Sequence, residues 1–371
     1  MTVERSQISS GQQLLSVLRD LYESYGYTRY KMSKFEEYDL YVRNKDFLVS
    51  DSVITFTDTN GRLMALKPDV TLSIIKNGSD LPGFVQKVYY NENVYRISKG
   101  THSFKEILQT GLECMGDIDV YCIFEVLLLA CRSLKRISDR CVLDLSHLGV
   151  VSALLDDLAQ PREVTDALLR CLSEKNSHEL QNICCAAGVP AEKTAALSAL
   201  IGLSGTPKTV LPQLEKLYPA TLDQTPLKEL KTMTALLEDT DCADLLRLDF
   251  SVVHTMKYYN GVVFKGFVQG VPDSILSGGQ YDHLMKKMHR VGGAIGFAVY
   301  HDALERFGKA EPYDADTVLL YDETTPPETL LCAIEALQKS GAQVSAQRSL
   351  PEKFRCRRCV RLKDGEVTDV G

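Results

Sequence analysis

The sequence predicts an α+β fold: hairpin-connected strands flanked by helices, a helical insertion, and a small C-terminal α/β module. Three observations predict it. Two extended runs rich in aromatic and β-branched residues, Lys87 to Ile97 and Phe104 to Gly116, flank the polar break Ser98-Lys99-Gly100-Thr101-His102-Ser103. From Val150 to about Asp244 leucine and alanine dominate and no β-rich run appears. The β pattern resumes at Leu246, and a β-α-β order closes the chain. The expected organisation is therefore a main domain of residues 1–149 and 245–307, an insertion of residues 150–244, and a module of residues 308–371.

In chain order, Ser9 or Ser10 caps a helix whose apolar stripe is Leu14, Val17, Leu18, Leu21 and Tyr25, and Gly26 ends it. Val53 to Leu66 reads as a hairpin with Asn60-Gly61 in a tight primed turn. Leu66-Lys67-Pro68-Asp69-Val70-Thr71 then leads into a short helix ending at Asn77. After the long strand pair, Asp117 or Asp119 caps an almost uniformly apolar helix from Val120 to Leu134, which should lie buried against the sheet. Cys141 to Ser146 is a strand. In the insertion, Pro161, Pro190, Pro207 and Pro226 mark helix starts. Leu246 to Val268 gives two strands around Tyr259-Asn260-Gly261. Ser274 to Leu276 is a short strand closed by Gly278-Gly279, Tyr281 to Met288 is helical, and GGAIGFAVYHDALERF runs from strand into helix. Residues 308–315 read as a linker. The module follows as β (Thr317 to Tyr321), α (Pro327 to Lys339), β (Gln343 to Ala346), a basic run and a final strand.

The strand from Phe104 has an unusual face. Alternation puts Lys105, Ile107, Gln109, Gly111 and Glu113 on one side, with Phe104, Leu108 and Leu112 on the other. An amide and a carboxyl around a bare glycine suit a pocket floor. The same pattern is commoner on the solvated face of an antiparallel sheet.

Charged residues make up 25% of the chain and hydrophobic ones 44%, ordinary for a globular protein. No apolar run approaches the roughly 20 residues of a membrane span, and the opening MTVERSQISSGQQ lacks an apolar signal core. A net charge of -7 argues against a surface that generally coats nucleic acid. Eleven cysteines without framework spacing fit reduced thiols in a cytoplasm. Cys356 and Cys359 form a lone CxxC, and a structural zinc site needs a second pair, so no metal is expected.

The order LKPDVT, VYYNENVYRI with KEILQTGLE, KYYNGVVF, LSGGQYDHL and AIGFAV resembles the catalytic domain of histidyl-tRNA synthetases, a class II aminoacyl-tRNA synthetase fold. The resemblance runs roughly from Gln12 to Phe307 apart from the helical stretch. It implies a six-stranded antiparallel sheet flanked by helices and a dimer built partly on the first strand region, where Ser33 replaces the family's usual proline. It also implies a histidine site. Asp69, with Thr71 beside it, would hold the substrate amino group, and Arg96 would reach the carboxyl. Gln109 and Glu113 would contact the amino group and imidazole, Tyr258 and Tyr259 would line the imidazole pocket, and Gly278 and Gly279 would form a bare wall. His102 and His254 would face the same pocket. An ammonium needs carboxylate or amide acceptors, and an imidazole needs a flat wall with a partner at each nitrogen.

The departures bear on activity. Activation of an amino acid builds charge on a phosphate and needs fixed cations. The family's arginines fall here on His254, near Ser103, on Gln280 and near Ala303, with Arg306 three residues out of register. Loss of one such cation costs on the order of 10²-fold in rate, so several losses argue against a working synthetase.

The pattern therefore resembles the paralogous group that serves as the regulatory subunit of ATP phosphoribosyltransferase, the first enzyme of histidine biosynthesis. That resemblance implies a chain without catalytic residues or cofactor, which activates a short-form catalytic subunit in a hetero-oligomer and responds to histidine. Two alternatives stand beside it: a divergent active histidyl-tRNA synthetase, using Arg96 with Lys99, Lys105 or His254, and a free-standing amino-acid sensor. The C-terminal module resembles part of the family's anticodon-binding domain. Its basic run, Lys353 to Lys363, reads as a solvated rim more readily than as an RNA contact.

Overall fold

The computed structural model describes residues 11–45, 48, 53–79, 81–97, 103–253, 259–307, 313–339, 341–350, 354–363 and 365–370. Contacts divide the chain into two units, Met1–Phe307 and Gly308–Gly371.

In the first unit, α1 (Gly11–Glu23) buries Leu14 and Leu18, one turn apart, and Gly26 turns the chain with φ +81° into β1 (Thr28–Arg29). Strands β2 (Phe35–Glu37), β3 (Thr55–Thr57) and β4 (Leu63–Leu66) form a small sheet in the order β2-β4-β3, with α2 (Tyr38–Arg43) following β2. The β3–β4 loop is longer than the two-residue primed turn expected. Asp58 N donates to Arg62 O at 2.9 Å, and Asp58 Oδ1 accepts from both Asn60 N and Arg62 N at 2.8 Å. Only Gly61 then takes positive φ, because the aspartate side chain builds the turn that a second left-handed residue would otherwise supply.

Helix α3 (Thr71–Lys76) leads to the long pair β5 (Val85–Ile97) and β6 (Phe104–Gly116), in register from Val85 opposite Gly116 to Ile97 opposite Phe104. Helix α4 (Val120–Ile137) is capped by Asp119, whose Oδ1 accepts from Cys122 N at 2.9 Å. Val126, Leu127, Leu129, Ala130, Cys131 and Leu134 put α4 in the main core against the sheet. After β7 (Cys141–His147) come α5 (Leu148–Asp156), α6 (Arg162–Ser173), α7 (Ser177–Ala186), α8 (Ala191–Gly202), the two-residue β8 (Ser204–Gly205), α9 (Pro207–Leu217) and α10 (Thr225–Glu238). Pro161 and Pro190 sit at N-caps, and Pro207 and Pro226 lie in first turns, where a missing N–H costs nothing. Among the described residues no helix is long and apolar enough to cross a membrane.

The chain returns to the sheet through β9 (Leu246–Asp249), β10 (Val262–Val268), β11 (Leu276–Gln280) and β12 (Gly293–Tyr300), with α11 (Asp282–Lys287) between the last two and α12 (His301–Phe307) after them. The sheet order is β1-β5-β6-β12-β11-β10-β7-β9-β8. The strands from β5 to β7 in that order are antiparallel throughout, which is the six-stranded core expected; β1 and β9 flank it in parallel, and β8 lies antiparallel outside β9. Two readings are corrected. β9 pairs in parallel with β7 and is not one arm of a hairpin with β10. Gly278 and Gly279 do not close a strand but sit inside β11, because their neighbours approach too closely for a Cβ: one built at Gly278 would lie 2.3 Å from Gly296 O and 2.5 Å from Phe297 Cβ.

The second unit has β13 (Ala315–Leu320), α13 (Pro327–Gln338), β14 (Val344–Gln347), β15 (Cys356–Lys363) and β16 (Glu366–Asp369), in sheet order β14-β13-β15-β16 around Leu319, Val360 and Leu362. Much of the basic run is matched within this unit. Arg358 holds Asp369 through two bonds of 2.6 and 2.9 Å, and Arg355 and Arg357 lie 3.9 and 3.6 Å from Asp314 and Asp316. Cys356 and Cys359 are both half-buried on β15.

Candidate functional site

Cross-strand pairing sets the floor of the site. Tyr90, Gly111, Ala298, Ser277, Lys265, Asp144 and Arg247 are successive partners across seven strands; Val88, Glu113, Gly296, Gly279, Val263 and Ser146 form the next row. Gly111, Ala298, Ser277, Gly296 and Gly279 are small, so the middle of the sheet face is left bare. Above it lies a cavity of about 970 Å³, near the upper end of the ~300–1,000 Å³ usual for small-molecule sites.

At one end the strand face singled out in the sequence is exposed at Lys105 but buried from Gln109 to Glu113, which are 3% and 2% exposed. Glu113 Oε1 accepts from Thr71 Oγ1 at 2.7 Å and Oε2 from the Tyr281 hydroxyl at 2.5 Å. Burial pushes the Glu113 carboxyl up to about 8, against the pull of both hydroxyls and with a smaller push from Asp69. Asp69 is raised for the same reason, opposed by the Leu72 N–H and by Arg96. Its Oδ1 accepts from Leu72 N at 3.1 Å at the start of α3.

The loop carrying Asp69 is fastened to β5. Lys67, 0% exposed, pairs with Glu92; Lys67 O accepts from Tyr95 N at 2.9 Å, and Pro68 O accepts from Arg96 Nε at 3.0 Å. Among the described residues nothing accepts from Gln109 Nε2, a buried donor facing the same space.

A Cβ built on Gly296 would lie 1.7 Å from Glu113 Oε2. Gly296→Ala is expected to push Glu113 from its place and cost about 1–3 kcal/mol in urea unfolding. Gly202→Ala, where a Cβ meets nothing within 4 Å, is the control and should stay within ~0.5 kcal/mol of the parent.

Of the residues expected from the sequence, Asp69, Thr71, Arg96, Gln109, Glu113, Tyr259 and Gly278 line this one cavity. Gly279 lies beneath the Tyr259 ring, whose Cδ1 would be 2.8 Å from an added Cβ. His102, His254 and Tyr258 lie outside the described residues. The sequence reading missed Tyr90, Tyr281, Lys265 and Tyr300, which also line it. Tyr281 had a signal, being adjacent to the Gly278-Gly279-Gln280 motif; a tyrosine inside a strand is otherwise indistinguishable from core.

A model described as "Histidyl-tRNA synthetase" matches residues 3–304. The chain belongs to the histidyl-tRNA synthetase family. Within that family, an ATP phosphoribosyltransferase regulatory subunit of Caldanaerobacter subterraneus subsp. tengcongensis is 29% identical over 367 residues, covering 95% of this chain and 93% of the relative. Among solved structures, an ATP phosphoribosyltransferase regulatory subunit/histidyl-tRNA synthetase from Bacillus halodurans matches with a TM-score of 0.76 and 24% identity, over 94% of this chain and 92% of that one. A chain of the ATP phosphoribosyl transferase complex from Thermotoga maritima matches with a TM-score of 0.61 and 18% identity, over 77% and 96%. These structural likenesses show the class II synthetase-like fold.

Three of the residues at or near which the family resemblance expects arginine lie among the described residues. Gln280 Nε2 donates to Asp282 Oδ2 at 2.7 Å, so this side chain is committed to the turn beside α11. Ala303, 5% exposed, packs into the main core. Ser103 is exposed at the start of β6.

Proposed function

We propose that this chain is the non-catalytic regulatory subunit of an ATP phosphoribosyltransferase, acting in the cytoplasm on the first step of histidine biosynthesis. It activates a short-form catalytic subunit and binds histidine at the Glu113 end of the cavity. The observation that carries this reading is a contrast: acceptors for an ammonium and an imidazole are kept at the cavity, while Gln280, tied to Asp282, and the buried Ala303 stand at or near positions where the family resemblance expects arginine. The regulatory-subunit relative, which this chain covers almost end to end, supports it.

Asp69, Thr71 and Gln109 take the amino group, Arg96 the carboxylate, and Glu113, Tyr259 and the Gly278-Gly279 wall the imidazole; the family resemblance assigns His254 and Tyr258 to the same ligand. The chain self-associates as a dimer through the β2–β4 region. Phe35 and Phe56, 47% and 39% exposed and in edge-to-face contact at 5.6 Å, support that surface.

Histidine regulates only if it binds active and inhibited assemblies with different affinity. Mixing this chain with a short-form catalytic subunit is expected to raise phosphoribosyl transfer above that of the catalytic subunit alone, and histidine should then lower it. No gain on mixing would overturn the proposal. ATP–pyrophosphate exchange driven by histidine would support an active synthetase instead, and histidine binding without effect on phosphoribosyl transfer would leave a sensor of another kind.

A further inference from the structure

The far end of the cavity has a different chemistry from the end at Glu113. Lys265 lies there, on the same sheet face but three strands from Gly111, roughly 14 Å away at ~4.8 Å per strand, beyond the reach of an amino acid seated on Glu113. Lys265 is half-buried and makes no hydrogen bond or ion pair with any described residue. Burial, helped by Asp249, raises the carboxyl of its cross-strand neighbour Asp144 against the pull of Lys175 and Arg247, and α6 brings Glu163, Asp166 and Glu174 together with Arg162 and Arg170 to the same cavity, Asp166 pairing with Arg162 at 3.8 Å. Burial alone acts on the ammonium, lowering its pKa. A half-buried ammonium without a bonded partner is costly. Beside it the Ser277 and Tyr300 hydroxyls meet at 2.8 Å, so that one hydroxyl hydrogen is left to donate.

We propose that Lys265, with the Ser277 and Tyr300 hydroxyls, forms an anion subsite for a phosphate group, so that the cavity has two ligand positions of opposite chemistry. An ammonium with three donors around a point charge, joined by a hydroxyl, suits a tetrahedral acceptor, whereas planar carboxylates favour the guanidinium fork. The subsite stands whatever occupies the Glu113 end.

The test uses the full chain in chloride buffer at fixed ionic strength, titrated with inorganic phosphate and with ribose 5-phosphate, by calorimetry and thermal unfolding. Phosphate is expected to bind and to raise Tm by about 2 °C or more near saturation. Lys265→Met should fold as well as the parent and bind at least tenfold more weakly, while Lys265→Arg keeps part of the affinity. The pair Ser277→Val with Tyr300→Phe, which retains the lysine, should also weaken binding. Tighter binding of ribose 5-phosphate identifies an ester ligand, and equal binding identifies free phosphate. Unchanged affinity in both Lys265→Met and the hydroxyl pair, or the same Tm rise from sodium chloride, would overturn the subsite. Glu113→Gln should lose histidine and keep phosphate, so failure of the histidine reading is seen separately.

Discussion

Glu113→Gln is expected to weaken histidine binding by about 30-fold or more while leaving the apo protein as stable as the parent, or more so. The glutamine fills the same volume and can keep its bonds to Thr71 and Tyr281, but it cannot ionise. A charge-assisted hydrogen bond in a buried site is worth roughly 1.5–3 kcal/mol, and the amide presents a donor where the carboxylate presents only acceptors. Calorimetry on both proteins checks this; full-strength binding by the variant would remove Glu113 from the site.

The pH dependence follows from the same group. Its folded pKa of about 8 lies above the ordinary carboxyl value, so between roughly pH 4.5 and 8 the folded state holds a proton that the unfolded state has released. Stability from this group is therefore full at low pH and falls as pH rises through that window, by up to about 1.4 kcal/mol per pH unit. Glu113→Gln should flatten that slope in urea titrations at pH 5, 6.5 and 8. A ligand whose N–H groups donate to Glu113 needs it ionised, so histidine affinity should climb from pH 6 to 8 with release of a proton. Binding heats that do not change with buffer ionisation enthalpy would contradict this.

Glu92→Gln is expected to destabilise the protein by about 3–5 kcal/mol, because it leaves the fully buried Lys67 ammonium without its carboxylate. The damage should extend to ligand binding, since Lys67-Pro68-Asp69 is the strap that Tyr95 N and Arg96 Nε hold against β5. The double variant Lys67→Met, Glu92→Leu removes both charges and should recover most of the lost stability. A cost below ~1 kcal/mol for Glu92→Gln would mean that the pair contributes nothing beyond a surface bridge.

Much of this arrangement is legible in the residues. The two faces of β6 follow from period two alone: Leu112 and Cys114 go into the main core beneath α4, and Gln109 and Glu113 go to the cavity. Prolines at the helix starts of the insertion are equally direct. The rest depends on partners distant in sequence. β1 and β9 are two and four residues long and pair in parallel, so neither has enough alternation to show itself. Gly278 and Gly279 read locally as a strand end, because the close approach of Phe297 and Tyr259 that requires them is a tertiary fact. Lys265 reads as the polar side of an ordinary strand until its cross-strand partners are known to be Ser277 and Asp144 and the row beyond Ser277 to be alanine and glycine.

Ala303 constrains its own replacement. Buried at 5% exposure among the core side chains, it leaves little room for a longer residue without repacking around α12. Restoring an arginine there would bury an unpaired guanidinium at a cost of several kcal/mol, a large part of the stability of any domain. A single Ala303→Arg change would therefore destabilise the fold before the new cation could serve any other purpose. The packing of one methyl group thus works as a ratchet against a cation at this position.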